Sequence, residues 1–510
     1  MAAAVSQWRS TSVRRLCYGL VMAGAVDVRR RQQFVAGRWG DACDGNWFDD
    51  LDPFTGEVFA RVPASTRADA QRAVDVAAEA FPDWSLTGPR ERQQLFLRAA
   101  DIVERRRAEL VSLMASETGA VGRFAAFQVQ WAAGFLRQAA HWPYDLGGEI
   151  IAVEAPDTTC YAFRQPLGVV AGFTPWNGAF NLAWRTVAPP LACGNTVILK
   201  PSEEAPIAAG VVIAEILEEA GFPAGVYSVI THAPGGAAAI ADEFFERPEV
   251  RAISFTGSTA VGRHLAERAA HHLKKIVLEL GGFNPMIVLA DADLEGAVET
   301  AAFAAFFHQG QICMNARKIL VEAPLYDDFL DRFAAKARSL TVGDPRDPAS
   351  ALGPLINGAA VEKARARLTA AQAHGARVVA GGQWHGPCLE PTILVDVEPG
   401  ASLHCEETFA PIVIVERVAD AASALAVANA TSYGLTASIM CGDVGRGLEL
   451  ARRVEAGVVN VNAPTMYAEP VLPIGGVKDS GSGRFGRWST ENFTERHVVT
   501  VNAGRNWQRL

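Results

Sequence analysis

The feature that most constrains the fold is a repeated strand–turn–helix pattern that begins near residue 166. Short runs of β-branched and apolar residues alternate there with segments whose apolar residues recur at helical spacing. Strands are predicted at 168–173, 195–200, 227–230 and 252–255, and again at 285–289 and 318–321. Such alternation builds βαβ units with parallel strands, whose ligands bind at the carboxyl ends of the strands. The pattern therefore predicts an α/β protein with one strand series before Asn284 and a second series after it.

The remaining segments predict how the chain is divided. A chain of 510 residues is longer than one hydrophobic core usually fills, so at least two domains are expected. Residues 66–118 and 122–141 have helical periodicity, and helices are also predicted over 205–220, 294–308 and 325–340. Two β-like stretches, 149–163 and 498–501, stand apart from both strand series. We expect them to form a small sheet that pairs with another subunit.

Composition and charge exclude several classes of partner. The formal net charge of -9 argues against nucleic acid, which normally requires a basic face. The 8 cysteines are scattered, without the spacing of a disulfide framework or a metal site. No apolar run reaches the roughly 18 residues of a membrane span. We therefore predict a cytoplasmic protein with reduced thiols, no metal, and neither a membrane nor a nucleic-acid partner.

Residues 1–32 are predicted to be either disordered or a mis-assigned N-terminal extension. Arg9, Arg14 and Arg15 precede an apolar run at 16–25, as in a transit peptide or a short signal sequence. The alternative is that Met22 is the natural start and that the upstream residues are an over-extended reading frame.

Cys313 is the strongest candidate for a reactive group. It follows the polar, flexible break 308–311, and we interpret the residues after it as a helix-forming run. A cysteine at the start of a helix gains thiolate character, which would make it a nucleophile. The alternative is an inert, buried cysteine that behaves as a small hydrophobe.

Two further residues complete a chemistry with this thiol. Glu279 follows a predicted strand at 275–278 and precedes two glycines, a place suited to a general base. Asn177 follows the strand 168–173, where its amide could stabilise an oxyanion. Each has a plainer explanation, a surface glutamate at a strand end and an asparagine that serves the turn. Together, a thiol, a carboxylate and an amide predict thiol-mediated oxidation of a carbonyl compound.

The strand ends also predict a dinucleotide site. Gly257 and Ser258 follow the strand 252–255 and open a helix, an arrangement that binds a pyrophosphate. Lys200 and Glu203 end another buried strand, where they could hydrogen-bond a ribose, although a capped helix start would look the same. A carboxylate there disfavours a 2′-phosphate, so NAD is predicted, with NADP as the alternative. The G-x-G-x-x-G run at 481–486 is rejected as the dinucleotide loop because no strand leads into it.

In this order and at these spacings, the motifs resemble the aldehyde dehydrogenase superfamily, from about Gln33 to Val501. The motifs that carry the resemblance are 174–177 (TPWN), 198–203 (ILKPSE), 255–259 (FTGST), 279–282 (ELGG), 310–313 (GQIC) and 406–411 (EETFAP).

The resemblance implies a role for each motif. It makes Cys313 the nucleophile and Glu279 the general base, and it forms an oxyanion hole from Asn177 and the backbone N–H of Cys313. In the cofactor site it implies that Lys200 and Glu203 hold the adenosine ribose, Trp176 and Ser258 lie near the pyrophosphate, Glu407 binds the nicotinamide ribose and Phe409 packs behind the nicotinamide.

The resemblance also implies an architecture. A Rossmann-like NAD-binding domain would comprise 33–143 and 161–280, and an α/β catalytic domain would comprise 281–480. Residues 144–160 and 491–510 would form a small β oligomerisation element, which implies a homodimer or a homotetramer.

Two departures from the family pattern concern substrate choice. Phe283 stands where members of the family often have lysine after the ELGG motif. The small pair Gly178-Ala179 follows Asn177 where many members have Phe-Pro, which would widen the substrate tunnel. The segments 181–185 and 308–314 look most like the branch that acts on benzaldehyde, vanillin and salicylaldehyde. The sequence therefore predicts NAD-dependent oxidation of an aromatic or other hydrophobic aldehyde to its acid. The alternatives are acyl transfer to coenzyme A and a catalytically silent cofactor-binding scaffold.

Overall fold

The strands of the described residues form two large sheets, one small sheet of three strands and two sheets of two strands each. The computed structural model describes residues 31–155 and 157–503, so the predicted N-terminal extension lies outside this part except for its last two residues. The strands are β1 (Gln33–Val35), β2 (Arg38–Gly40), β3 (Trp47–Leu51), β4 (Val58–Pro63), β5 (Glu149–Ile151), β6 (Thr158–Pro166), β7 (Val169–Thr174), β8 (Thr196–Pro201), β9 (Tyr227–Val229), β10 (Val250–Thr256), β11 (Lys275–Glu279), β12 (Met286–Val288), β13 (Lys318–Glu322), β14 (Arg377–Ala380), β15 (Trp384–His385), β16 (Cys388–Leu389), β17 (Thr392–Val395), β18 (Ile412–Val418), β19 (Thr436–Met440), β20 (Val458–Val461), β21 (Gly481–Ser482) and β22 (Thr494–Asn502).

Helices cover the faces of the two large sheets. They are α1 (Arg67–Leu86), α2 (Pro89–Arg105), α3 (Arg107–Thr118), α4 (Gly122–Ala139), α5 (Ala179–Ala192), α6 (Val212–Ala220), α7 (Ala237–Glu246), α8 (Thr259–His271), α9 (Leu294–Phe306), α10 (Tyr326–Arg338), α11 (Gly358–Ala373), α12 (Ser402–Cys405), α13 (Ala421–Asn429), α14 (Val444–Ala451) and α15 (Ser489–Asn492). No described helix combines the length and the apolar character needed to cross a membrane.

The first large sheet has the strand order β2-β1-β9-β8-β7-β10-β11-β21. Its five central strands, from β9 to β11, are parallel, as the βαβ pattern predicted. Every residue of β7 and β8 is buried, because helices lie against both faces of the sheet. The parallel strands all end at one edge, so the residues that follow them are brought together there.

The edge of this sheet is completed by a distant part of the chain. The short strand β21 runs antiparallel to β11 and pairs Gly481 with Glu279. A Cβ on Gly481 would lie 2.2 Å from the carbonyl oxygen of Leu278, so only glycine permits this approach. The glycine run at 481–486 therefore serves close backbone packing here.

The second large sheet has the order β14-β17-β18-β13-β12-β19-β20 and is parallel except at β14. Its core is built from alanine and aromatic residues of α9 and α10, with Phe306 and Phe333 stacked at 5.6 Å. The loop that carries Cys313 connects α9 to β13, so this sheet positions the thiol.

The small sheet has the order β22-β6-β5 and is antiparallel. It joins the two stretches that the sequence left apart from the large sheets. Apolar side chains remain exposed on it, including Ile150 at 75% and Val498 at 56% of their full area.

The helices differ from the sequence prediction in three places. The helix predicted over 205–220 is a π-helical segment at Ile207–Val211 followed by α6. The long helical segment at 66–118 is three helices, separated at Gly88 and at Arg106. The helix predicted through His308 ends at Phe306, because His308 and Gln309 take left-handed φ values of 52° and 53°. Non-glycine residues rarely adopt this region, so the turn before Cys313 is strained.

Candidate active site

Three of the predicted site residues lie at the carboxyl edge of the first sheet. Asn177 follows β7, Ser258 follows β10 and Glu279 ends β11, and these three strands are neighbours. Cys313 reaches the same place from the second sheet, with its Sγ 3.2 Å from Glu279 Oε1. The structure thus brings together a thiol and a carboxylate that are 34 residues apart in the sequence.

The local structure at Cys313 corrects the sequence prediction. Cys313 lies in a turn and not at the start of a helix, and the next regular element is β13. The side chain of Asn315 closes the turn by accepting a hydrogen bond from the Ile312 N–H at 2.7 Å, which diverts the chain from a helical path. A helix terminus therefore does not supply thiolate character.

The environment of Cys313 favours the neutral thiol. Burial raises the pKa of Cys313 to about 11, and Glu407 adds to the effect, whereas Arg185 and Arg317 oppose it. At neutral pH the thiol therefore needs a base, and the Sγ–H donates to Glu279 Oε1. The side chain itself is only partly buried, so it remains within reach of a substrate.

Asn177 is held against the loop 307–317 between α9 and β13, here called the thiol loop. Its Nδ2 donates a hydrogen bond to the carbonyl oxygen of Gln311 at 2.9 Å, and the residue is buried. A side-chain amide has two N–H donors, so one remains for an oxyanion formed next to Cys313. On the other side of the loop, Asn284 Nδ2 donates to the carbonyl oxygen of Cys313 at 2.6 Å.

Sequence reasoning missed the partner of Glu279, which is Arg185. The guanidinium of Arg185 forms an ion pair with Glu279 Oε2, and both side chains are almost fully buried. Arg185 lies on α5, where every other residue except Asn181 is also buried. The available signal was a single arginine within an apolar helix, because a buried charge requires a counter-charge.

Arg317 is a second buried arginine that sequence reasoning missed. It donates hydrogen bonds to the carbonyl oxygens of Ile312 at 3.2 Å and Ala410 at 3.3 Å. Burial lowers the pKa of Arg317 to about 10, and nearby Glu407 and Cys313 work against this change. The guanidinium thereby ties the thiol loop to the loop that contains Glu407 and Phe409.

The predicted ribose-binding pair lies at the end of β8. Lys200 is buried, and its Nζ lies 2.5 Å from Nε2 of His232, which in turn lies 3.8 Å from Glu203. Burial lowers the pKa of Lys200 to about 8, an effect that Glu203 partly offsets. Glu203 is partly exposed, so its carboxylate remains available to a ligand at this edge.

Gly257 and Ser258 form the start of α8, as the sequence predicted. Ser258 is the N-cap residue, and its hydroxyl accepts a hydrogen bond from the Val261 N–H at 3.4 Å. The first N–H groups of a helix have no partners within the helix, so this end is suited to an anion such as a pyrophosphate.

The loop between α12 and β18 brings Glu407 and Phe409 toward the first sheet. Glu407 Oε1 accepts a hydrogen bond from the Gly282 N–H at 3.3 Å, and a Cβ on Gly281 would lie 2.6 Å from its Oε2. Phe409 meets Trp176 edge to face, with 5.6 Å between the ring centroids. These residues therefore fit a nicotinamide dinucleotide: an anion-binding helix start, carboxylates for ribose hydroxyls and aromatic rings between them. Among the described residues, no group of His, Cys, Asp or Glu side chains is arranged to hold a metal ion.

Comparison with known proteins identifies the family. The model of the aldehyde dehydrogenase family matches residues 39–499. The chain belongs to the aldehyde dehydrogenase family. It is 45% identical to a vanillin dehydrogenase of Pseudomonas fluorescens, over 92% of this chain and 97% of that protein. The family resemblance drawn from the motifs is thus confirmed.

Solved structures confirm the fold. A salicylaldehyde dehydrogenase from Pseudomonas putida G7, complexed with salicylaldehyde, has a TM-score of 0.91 at 37% identity and covers 94% of this chain and 99% of its own. A betaine aldehyde dehydrogenase from Staphylococcus aureus in complex with NAD+ has a TM-score of 0.91 at 30% identity and covers 94% and 96%. This aldehyde dehydrogenase is therefore an oxidoreductase of a family that uses NAD or NADP.

The pKa of Glu407 leads to a prediction for cofactor binding. Burial raises the pKa of Glu407 to about 7, although Arg317 opposes the change. Below that pH the carboxyl is protonated and loses the charge with which it would accept hydrogen bonds from ribose hydroxyls. We expect the KM for NAD to rise up to about tenfold per unit as the pH falls below 7, because only the ionised form binds well.

Steady-state kinetics between pH 5.5 and 9 at saturating aldehyde will check this. A Glu407→Gln variant should show a KM for NAD that is higher than that of the wild type at pH 8 and nearly independent of pH. A wild-type KM that stays constant across the range would contradict the assignment.

Proposed function

We propose that this aldehyde dehydrogenase oxidises an aromatic aldehyde to the carboxylic acid with NAD, and that Cys313, Glu279 and Asn177 carry out the chemistry. The contact between the Cys313 thiol and the Glu279 carboxylate at 3.2 Å is the observation that carries the proposal. A thiol beside a carboxylate is the combination that covalent catalysis on a carbonyl requires.

The first step forms a bond between Cys313 Sγ and the carbonyl carbon of the aldehyde. The thiol proton moves to Glu279 Oε1, and the resulting thiolate attacks. The carbonyl oxygen becomes an oxyanion, which the remaining Nδ2–H of Asn177 and the backbone N–H of Cys313 stabilise. Donors that are already fixed in place, as Asn177 is by Gln311, stabilise such charge most effectively.

The second half of the reaction converts the adduct into the acid. NAD, which the residues at the carboxyl edge of the first sheet would hold, would supply the acceptor for the hydride of the former carbonyl carbon, and Cys313 would then carry a thioester. Glu279 first releases the thiol proton to solvent. It then takes a proton from water, and the hydroxide adds to the thioester and displaces the Cys313 thiolate, which recovers a proton from Glu279. A base within reach of the thiol favours this hydrolytic release over acyl transfer to coenzyme A, which needs no such base.

The preference for an aromatic substrate is supported by the side chains next to the thiol loop. Phe303, Phe307, Phe124 and Phe127 form a row of rings, here called the aromatic strip. Phe303 at its outer end is 43% exposed, and Phe307 packs in the same cluster as Cys313. The relatives named for vanillin and salicylaldehyde add to this support.

A substrate survey tests the proposal. We expect NADH formation at 340 nm with vanillin, salicylaldehyde and benzaldehyde, and a kcat/KM at least tenfold lower for propanal and hexanal, because the aromatic strip favours ring contacts. Phe124→Leu should lower the ratio of kcat/KM for aromatic aldehydes to kcat/KM for aliphatic aldehydes. Phe333→Leu, a change in the core of the second sheet, should leave this ratio unchanged. Equal values for aromatic and aliphatic aldehydes would refute the aromatic preference but not the chemistry.

We assign NAD to the carboxyl edge of the first sheet. Lys200 and Glu203 would bind the adenosine ribose, Gly257, Ser258 and Trp176 the pyrophosphate, and Glu407 and Phe409 the nicotinamide end. The corresponding division is a cofactor domain over 33–143 and 161–280 and a catalytic domain over 281–480. NADP remains the alternative cofactor, and comparing both in the substrate survey distinguishes them.

We further propose a homodimer or homotetramer that forms through the predicted element 144–160 and 491–510, which contributes β5, the start of β6 and β22 to the small sheet. Residue 156 and residues 504–510 of this element lie outside the described part of the chain. The exposed apolar side chains of β5 and β22 support this, because partner contacts would remove them from water. The seven cysteines of the described residues are free thiols, which suits a cytoplasmic enzyme whose nucleophile must stay reduced.

A further inference from the structure

The ion pair between Arg185 and Glu279 bears directly on how the thiol becomes reactive. Cys313 does not lie at a helix terminus, and burial raises its pKa to about 11. A neutral thiol of this kind reacts slowly at neutral pH. Some other group must therefore supply the charge that permits loss of a proton.

Glu279 is divided between two partners. Its Oε1 accepts the hydrogen bond from Cys313 at 3.2 Å, and its Oε2 contacts the guanidinium of Arg185. The thiol and the carboxylate, here called the thiol–carboxylate pair, share a site in which both groups compete for the same protons. With one proton between them, the two groups together carry a single negative charge, whichever of them holds the proton.

Arg185 is fixed so that it can compensate that single charge. Its guanidinium lies 4.5 Å from the ring centroid of Phe485, and its Nη2 lies 3.4 Å from Thr256 Oγ1. The side chain is 4% exposed, so water screens its charge little. An arginine fixed by a ring and a hydroxyl keeps the Glu279 carboxylate in one orientation.

We propose that Arg185 is a positioning residue for the chemistry described above: it turns the Glu279 carboxylate toward the Cys313 thiol and keeps the thiol–carboxylate pair singly protonated at neutral pH. The proton then moves from Cys313 Sγ to Glu279 Oε1 within the pair, and the thiolate faces the guanidinium. The inference rests on the proposed roles of Cys313 and Glu279.

Other charges near the pair do not replace Arg185. Glu407 opposes ionisation of Cys313, and Arg317 favours it less strongly than Arg185 does. Arg317 hydrogen-bonds to backbone carbonyls and has no contact with Glu279 among its hydrogen bonds. Both groups stay in place when Arg185 is changed, so a difference between variants reports on Arg185.

The test is the pH dependence of Cys313 alkylation by iodoacetamide, measured by mass spectrometry without aldehyde or cofactor. An opposite charge at contact distance shifts a titration by about one to three units. The acid limb is the pH range in which the alkylation rate rises as the thiol loses its proton. We expect Arg185→Met to shift this limb to higher pH by at least about one pH unit, so that the rate at a given pH on the limb falls about tenfold or more. Arg185→Lys keeps the charge and should bring the acid limb most of the way back to its wild-type pH. Its kcat should stay below that of the wild type, because an ammonium lacks the planar set of N–H donors with which a guanidinium orients a carboxylate.

Arg92→Met is the matched control. Arg92 is buried, as Arg185 is, but it forms no ion pair with a carboxylate among the described residues. It donates a hydrogen bond to the carbonyl oxygen of Ala192, the last residue of α5, which is the helix that carries Arg185. Its replacement should reduce stability without moving the alkylation limb. If Arg185→Met does not fold, Arg185→Gln carries the test, because it keeps a hydrogen bond but removes the charge, and the same shift is expected.

The outcomes separate this inference from the proposed function. An acid limb of Arg185→Met that coincides with the wild type, or of Arg185→Lys that moves as far as that of Arg185→Met, would overturn the role of Arg185. Absence of NADH formation by the wild type with every aldehyde would instead overturn the proposed function, whatever the alkylation profile shows.

Discussion

Cys313→Ala is expected to abolish NADH formation, with a loss of at least about 10⁴-fold in kcat, because the covalent route needs the sulfur and removal of a nucleophile costs this much or more in other enzymes. The substitution removes one atom from a partly buried turn, and the hydrogen bond from Asn284 to the backbone of residue 313 persists. The fold and the binding of NAD should therefore be preserved. Steady-state assays at 340 nm measure the loss, and quenching of tryptophan fluorescence measures the binding.

Cys388→Ala provides the control for this experiment. Cys388 is fully buried on β16, away from the carboxyl edge of the first sheet. Its replacement should lower stability slightly and leave kcat within about twofold of the wild type. Residual aldehyde-dependent turnover of Cys313→Ala above about 1% would show that another group is the nucleophile.

Glu279→Gln is expected to reduce kcat by about 10²–10⁴-fold, the range that loss of a general base produces. The amide cannot take the proton of the thiol or of the attacking water. Hydroxylamine needs no base to attack a thioester, so it should restore part of the turnover of this variant and release a hydroxamic acid. Coupled measurement of NADH and hydroxamate checks both expectations.

The matched control is Glu243→Gln. Glu243 is another buried glutamate in an ion pair, with Arg67 at 2.9 Å, but it lies on α7. It should retain wild-type turnover and gain nothing from hydroxylamine. If the wild type required coenzyme A for turnover and released a thioester of it, the acylating alternative would replace hydrolysis.

The strand ends of the first sheet were the part of the site most accessible from sequence. Parallel strands deliver the residues that follow them to one edge, so placing Asn177, Ser258 and Glu279 after three predicted strands was enough to bring them together. Only the family motifs predicted that Cys313 lies beside them. The hydrophobic periodicity predicts each sheet separately and carries no information about the distance between the two sheets.

The parts that sequence reasoning missed depend on burial. In the sequence, Arg185 looks like an ordinary helix residue. Only the burial of α5 in the structure shows that its charge needs a counter-charge, which Glu279 supplies. The helix predicted after Cys313 failed for a similar reason. The Asn315 side chain accepts a hydrogen bond from the backbone N–H of Ile312, in place of the hydrogen bonds of a helix. Helix propensities do not predict when a side chain will take such a bond.

The antiparallel pairing of β21 with β11 has a consequence for how the protein is made. Glu279 ends a strand whose outer neighbour is Gly481–Ser482, the Ser480 hydroxyl donates to the carbonyl oxygen of Gly281 at 2.6 Å, and Phe485 covers Arg185. During translation, the nucleophile and the base thus emerge from the ribosome long before the segment that encloses them. A nascent chain that stops before residue 480 therefore has all three reacting side chains but lacks the residues that complete their surroundings. The surroundings of the thiol and the base are therefore complete only after residues 480–485 have been made and have packed against β11 and Arg185.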